Sequence, residues 1–185
     1  MTHPSRITTV NAFILKRKNV GDSDKVLTLF TKTTGKVRVV AKGVRKITSR
    51  RGPYLDIFNE IKITLHQGKS WDTVSEVDML VSRRNAYTTW MRMRAAYVIV
   101  EAIDKLLPDN EPQRAIYDKL GAILVAIGTA SDSEITPLLV SFFNALLEEL
   151  GYLAPDKKYS EFGELIGYIE RISERKIRSM KFFLS

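Results

Sequence analysis

The chain has 185 residues, of which 44% are hydrophobic, so it is long and apolar enough to bury at least one substantial core. It contains no cysteine, which excludes disulfides and thiolate chemistry. Its two histidines, His3 and His66, lack the spacing of a metal site, and no apolar run approaches the roughly 18 residues of a membrane span. We expect a soluble, cytoplasmic protein that needs no metal or cofactor.

The formal net charge is +8, and the excess lies entirely in the N-terminal part. Residues 1–80 contain 15 Lys and Arg against 7 Asp and Glu, whereas residues 81–185 contain 14 of each kind. In residues 1–52 the only acids are Asp22 and Asp24, against 13 basic side chains. A field this one-sided attracts polyanions such as nucleic acid or an anionic membrane.

Residues 1–80 predict an all-β domain. Alternation in the first strand, residues 10–18, places Phe13 and Leu15 on one face and Ile14, Lys16 and Lys18 on the other. The next strands are residues 25–31, a basic strand from residue 35, residues 54–65 and residues 71–80. A short helix capped by Asp22 or Ser23 is the alternative for residues 25–31, but their Thr and Val content favours a strand. Five strands with an irregular crossover at residues 44–53 predict an OB-type β-barrel.

The basic strand carries the main functional signal. Alternation directs Lys36, Arg38 and Lys42 to one face and the apolar residues between them to the other. For any single lysine, solubility is an equally good explanation; the cluster as a whole favours a phosphate-neutralising surface. The predicted nucleic-acid-binding residues are Lys16, Arg17, Lys18, Lys36, Arg38, Lys42, Arg45, Lys46, Arg50 and Arg51. Phe30, Tyr54 and Trp71 are candidates to stack on bases, with barrel core as the alternative for each.

Near residue 81 the hydrophobic period changes, and residues 81–185 predict an all-α domain of about four helices. The fold class is therefore α+β, with an OB domain at residues 1–80 and a helical domain at residues 81–185. In the first helix we expect Trp90, Met93, Tyr97, Val100 and Leu107 to face the core. Thr136 and Pro137 predict the start of the third helix, and Ser160 predicts the cap of the fourth.

Catalytic patterns are weak. Gly35-Lys36 stands alone and does not make a glycine-rich nucleotide loop. Asp22 and Asp24 are more typical of a turn that orders its own backbone than of a metal site. With two histidines, no Ser-His-acid arrangement is visible. We therefore expect a binding protein and not an enzyme.

Several short motifs resemble the bacterial RecO recombination-mediator family. They are Gly21-Asp22-Ser23-Asp24-Lys25, Thr28-Leu29-Phe30-Thr31, Gly35-Lys36 and Ala41-Lys42-Gly43, at the family's spacing. A weaker likeness continues through Leu146-Leu147-Glu148-Glu149-Leu150-Gly151-Tyr152 and Arg178-Ser179-Met180-Lys181-Phe182. The N-terminal motifs are fairly specific and the helical ones are not.

The resemblance implies an OB barrel followed by a helical domain, in a non-catalytic protein that binds single- and double-stranded DNA and anneals complementary strands. It also implies work with RecR to load RecA recombinase onto DNA coated by single-strand-binding protein, and hence an association with the nucleoid. The family commonly carries a four-cysteine zinc module after the Leu-Gly-Tyr-Leu helix end. Here Ala154-Pro155-Asp156-Lys157-Lys158-Tyr159 stands in that place, so this chain resembles a short form without the zinc ligands.

In that family the helical domain takes the acidic, hydrophobic tail of single-strand-binding protein. Arg171, Arg175, Lys176 and Arg178 are candidates for such a tail, with solvated cations near a helix end as the alternative. Two other functions stay open: an RNA-binding OB module, and a protein-docking module whose basic strand meets an acidic partner.

Overall fold

The computed structural model describes residues 7–83 and 85–182. The chain divides into two compact units, one formed by residues 1–84 with 108–113 and the other by residues 85–107 with 114–185. The first unit therefore recruits a short segment, residues 108–113, from the helical half of the sequence.

Five strands form the first unit: β1 (Ile7–Val20), β2 (Asp24–Thr31), β3 (Gly35–Ala41), β4 (Glu60–His66) and β5 (Asp72–Val81). They close into a barrel in the order β1-β2-β3-β5-β4, in which β3 and β5 are parallel and the other pairs antiparallel. The predicted OB-type barrel is thus confirmed, with the crossover between β3 and β4. Its core comes from alternate positions of all five strands, among them Leu27, Leu29, Val39, Ile61 and Ile63.

A β-bulge in β1 makes the side chains of this strand face differently from the prediction. Ile14 lies opposite Leu29, whereas Lys16 lies opposite Thr28, so Leu15 is an extra residue. Because an extra residue reverses the alternation, Ile14 joins the barrel core and Lys16 turns outward. The prediction that Ile14 shares a face with Lys16 and Lys18 is therefore wrong.

The predicted strand at residues 54–65 begins later, at Glu60. Gly52–Tyr54 form a 3₁₀ turn, and Asp56 accepts a hydrogen bond from the backbone N–H of Ile57 at 2.9 Å. Phe58 then adopts a positive φ of 75°. These local conformations interrupt the extended backbone that the apolar pattern suggested.

Four helices make up most of the second unit: α1 (Trp90–Leu106), α2 (Arg114–Thr129), α3 (Asp132–Glu149) and α4 (Phe162–Ser173). A 3₁₀ helix, Arg178–Phe182, follows them. None of the helices within the described ranges combines the length and apolarity that a membrane crossing requires.

Three details of the helices differ from prediction. Trp90 and Tyr97 are 63% and 41% exposed, because small and aliphatic side chains further along α1 fill the core instead. The third helix starts at Asp132, where the carboxylate of Glu134 accepts from the backbone N–H of Ser131 at 2.7 Å, so Pro137 lies inside it. The fourth helix has Glu161, not Ser160, at its N-cap.

Candidate nucleic-acid interface

The outer face of β1, β2 and β3 gathers part of the predicted basic set. Strand register aligns Lys16 with Thr28 and Thr28 with Arg38, so the two cations lie on one face of the sheet. Lys18 lies two residues further along β1 on that same face. All three cations are exposed. We call this surface the β1–β3 face.

The outer side of β4 and β5 has the opposite character. On β5 the side chains of Glu76 and Asp78 are exposed, and on β4 Lys62 lies directly opposite Asp78. Because like charges repel a polyanion, this side of the barrel is a poor surface for phosphates. The charge contrast favours the β1–β3 face for nucleic acid.

Lys36 departs from the expectation of an open basic row. Its side chain is only 6% exposed, and its Nζ lies 3.2 Å from Oδ1 of Asp109, in the segment recruited from the helical half. The backbone N–H of Asn110 also donates to the carbonyl of Lys36 at 2.8 Å. Lys36 is therefore a buried cation with a half-exposed counter-ion, whereas Arg38, 3.8 Å from Oδ2 of Asp109, is exposed.

Trp71 is the best placed of the three candidate aromatics. It is 45% exposed and lines a cleft together with Arg38, Ser70 and Asp109. Trp71 follows the turn between β4 and β5, one of the two loops with which OB barrels bind oligonucleotides. An exposed indole beside a guanidinium is suited to base stacking.

The other two aromatics stand differently. Phe30 is 0% exposed, so its ring is core and the stacking expectation for it is wrong. Tyr54 is 39% exposed and belongs to the 3₁₀ turn Gly52–Tyr54 at the end of the crossover.

The motif residues at the β1–β2 turn form a clasp with the exit of β3. Oδ1 of Asp24 accepts from the backbone N–H of Gly43 at 2.8 Å, and chiefly this bond holds the pKa of Asp24 below its usual range. The charges of Lys42 and Lys46 lower that pKa further. The motif therefore shapes the barrel end and fixes the path of the basic crossover.

Two arginines of the crossover donate hydrogen bonds to backbone carbonyls. Arg51 donates to the carbonyls of Val74, at 2.6 Å, and Lys42, at 2.9 Å. Arg45 donates to the carbonyl of Gly21 at 2.9 Å. Lys46 and Arg50 are exposed between them. Thus Arg51 ties the crossover to β5, while its neighbours face solvent.

A second cluster lies at the same barrel end. Arg17, Asn19, Lys25 and Arg45 line one pocket, and the Arg17 guanidinium also lies 3.1 Å from Oδ1 of Asp56. Sequence reasoning missed Lys25 because it sits in a predicted strand that carries no basic run. It also missed Asp109, for which the sequence offers no signal.

In the helical unit, the tail candidates only partly converge. Arg171, Arg175 and Lys176 line one shallow pocket that also contains Glu170 and Glu174. Lys176 Nζ lies 2.8 Å from Glu170 Oε2, so the positive charge is partly balanced. Arg178 starts the 3₁₀ helix and does not line that pocket.

A carboxylate anchors the segment that bears Arg178. Glu101 on α1 accepts from Lys105 Nζ and from the backbone N–H groups of Arg178, at 2.9 Å, and Ser179, at 2.8 Å. Burial alone would raise the pKa of Glu101, but these hydrogen bonds outweigh it and lower the pKa to about 2. The segment is thus fixed to α1 by an ionised side chain.

The region from Ala154 to Tyr159 does not fit a zinc site. Its only carboxylate is Asp156, and thiolate or imidazole ligands are absent from this stretch. Over residues 7–83 and 85–182, no group of three or more His, Asp or Glu side chains is placed to hold a metal ion.

Comparison with known proteins agrees with the motifs. A family model described as recombination protein O N terminal matches residues 5–83, and one described as recombination protein O C terminal matches residues 88–156. Together they cover most of the chain. The DNA repair protein RecO of Symbiobacterium thermophilum is 34% identical over 143 residues, which are 77% of this chain and 56% of that protein.

Other relatives carry the same name. The DNA repair protein RecO of Cutibacterium acnes is 34% identical over 154 residues, which are 78% of this chain and 61% of that protein. The RecO protein of Thermobifida fusca is 38% identical over 95 residues, about half of this chain. The chain thus spans 56–61% of the length of the first two relatives. The N-terminal family model matches the barrel and the C-terminal family model matches residues of the helical unit, in that order along the chain. This chain therefore belongs to the RecO family of DNA repair proteins.

Proposed function

We propose that this chain is a recombination mediator that binds single- and double-stranded DNA without sequence preference and anneals complementary strands. With RecR, it helps to load RecA onto DNA coated by single-strand-binding protein. Membership of the RecO family supports the general role in DNA repair. The single observation that carries the DNA-binding part is the contrast between the cationic β1–β3 face and the acidic side of β4 and β5.

Annealing requires two polyanions to approach each other, so the protein must screen their repulsion. Exposed cations such as Lys16, Lys18 and Arg38 do this through phosphate contacts, which carry no sequence information. Trp71 beside Arg38 adds a stacking platform that accepts any base. This combination binds strands without making or breaking a covalent bond.

The helical unit is near neutral in sequence and is proposed to bind protein partners. Its pocket of Arg171, Arg175 and Lys176 is proposed to take the acidic, hydrophobic tail of single-strand-binding protein. Ile177 is buried beside these cations, so the apolar part of a tail would contact other surfaces of the unit. Nucleoid association follows from DNA binding.

A pair of charge-matched variants tests the DNA-binding part. The first variant carries Lys16→Glu and Lys18→Glu on the β1–β3 face and Lys42→Glu directly after β3, and all three lysines are exposed. The control carries Lys62→Glu, Lys157→Glu and Lys158→Glu, which are exposed elsewhere and give the same net charge. Lys36 is left intact, because reversing a buried paired charge would disturb the fold.

Binding of labelled single-stranded DNA is measured by fluorescence anisotropy over a salt series, with circular dichroism to check folding. We expect the wild type and the control to bind with a steep salt dependence, and the first variant to lose binding while folded. Equal binding by the two variants would refute the interface. RNA that displaces DNA at lower concentration would favour an RNA-binding module, and a shallow salt slope would favour a protein-docking module.

A further inference from the structure

Four polar side chains converge at the barrel end where β1 turns into β2. Asn19 on β1 lies directly opposite Lys25 on β2, and Arg17 lies two residues back along β1 on the same face. Arg45 reaches this place from the crossover, and all four line one pocket. Three of the four are cations drawn from three separate elements.

Hydrogen bonds to the backbone fix Arg45 and the turn beside this pocket. The backbone N–H of Arg45 donates to the carbonyl of Ser23 at 2.9 Å, and its guanidinium donates to the carbonyl of Gly21 at 2.9 Å. The Asp24–Gly43 hydrogen bond fixes the same turn from the other side. Arg45 is therefore positioned before a ligand binds, which lowers the entropy cost of binding.

The positive charge in this pocket exceeds the negative charge facing it. Asp56 pairs with Arg17 at 3.1 Å, but its Oδ1 also accepts from the N–H of Ile57. Burial lowers the pKa of Lys25, and the charge of Arg17 lowers it further; Asp56 opposes them, and Arg45 adds to them. Crowding of this kind weakens the folded state, and an anion would relieve it.

We propose that Arg17, Lys25 and Arg45 form a subsite for one phosphate group of a nucleic-acid strand. The identification of the strand as DNA rests on the proposed function. Guanidinium groups suit phosphate because their donors match its oxygens, and the ammonium of Lys25 adds a point charge to the same pocket. Asn19 adds a neutral amide to the lining. The subsite binds either an internal phosphodiester or the phosphate at a strand end.

The critical variant is Lys25→Met, which keeps the length and apolar stem of the side chain but removes its charge. Lys62→Met is the matched control, because it removes the same charge from exposed β4. We expect Lys25→Met to weaken binding of single-stranded DNA about tenfold at low salt and to make the salt slope shallower by roughly one contact. We also expect Lys25→Met to raise the melting temperature, since it relieves burial and repulsion at Lys25. Where the wild type binds DNA, equal affinities in the two variants together with equal responses to phosphate would overturn the subsite.

Inorganic phosphate provides a readout that does not depend on DNA. We expect phosphate to raise the melting temperature of the wild type and of Lys62→Met, compared with chloride at equal ionic strength, but not that of Lys25→Met. If phosphate acts in this way while DNA does not bind, the subsite stands and the proposed function fails. If DNA binds but neither readout distinguishes Lys25→Met from Lys62→Met, the function stands and the subsite fails. Oligonucleotides with and without a 5′-phosphate then separate a strand end from an internal phosphodiester.

Discussion

Asp109 offers a sharp test of the barrel's charge arrangement. Its carboxylate lies 3.2 Å from the buried ammonium of Lys36 and 3.8 Å from the exposed guanidinium of Arg38. It occupies the cleft shared with Trp71, where a DNA phosphate would contact Arg38. Asp109→Asn removes this negative charge while keeping the shape of the side chain. We expect the substitution to strengthen DNA binding and to weaken folding.

The two magnitudes follow from exposure. A phosphate contacting Arg38 would lie about 7 Å from the Asp109 carboxylate, and in surroundings close to water this repulsion is about 0.6 kcal/mol, or about threefold in affinity. For stability, Lys36 is only 6% exposed and loses its counter-ion, which would cost several kcal/mol in a fully buried pair. Because Asp109 is 45% exposed, solvent screens the pair and we expect a cost of about 1–2 kcal/mol.

Affinity is measured by anisotropy with single-stranded DNA at low salt, and stability by urea unfolding. Glu111→Gln is the matched control, since it removes an exposed acid from the same segment. Equal gains in affinity from both variants would show that only the net charge matters. Unchanged affinity and unchanged stability in Asp109→Asn would refute the assigned role of the carboxylate.

Three further substitutions test the rest of the structure. Glu101→Gln should lower the free energy of unfolding by about 2 kcal/mol near neutral pH. Because the folded-state pKa of Glu101 is lowered to about 2, this loss should be full above the unfolded-state pKa and should disappear as the pH falls towards 2. A loss that does not change with pH in urea unfolding would contradict this prediction. Trp71→Ala should weaken single-stranded DNA binding by about 1 kcal/mol or more, whereas the control Trp90→Ala, at an exposed residue that starts α1, should not. Equal anisotropy titrations of the two variants would exclude stacking by Trp71. Gly35→Ala should lower the melting temperature by several degrees. The reason is that Gly35 has a φ of +76° and that an added Cβ would lie 2.1 Å from the carbonyl oxygen of Glu111. An unchanged melting temperature would show that the backbone of residues 108–113 moves aside at little cost.

Local sequence signals were enough to predict the overall plan. The alternating pattern of the first 80 residues predicts a five-stranded barrel, and the change of period near residue 81 predicts the helices. Both patterns predict the structure correctly because one face of each strand or helix must be buried, independently of the exact tertiary contacts. The motifs around Asp24 and Gly43 likewise point to the family because their side-chain to backbone contacts shape a specific turn.

Within the candidate site, strand register and distant contacts decided what each residue does. Lys36 and Arg38 are equivalent in the sequence, yet only Lys36 is buried, because Asp109 arrives from a distant segment. The extra residue Leu15 reverses the alternation in β1 and so turns Lys16 outward.

The sequence by itself determined the sign of the charge, its confinement to the first half of the chain and the kinds of element that carry it, since these depend on composition and local periodicity. Only the tertiary structure decided that Arg17, Lys25 and Arg45 share a pocket and that Phe30 is core. The physical reason is that burial and ion pairing depend on which segments meet in space, and a repeating local pattern carries no record of those meetings.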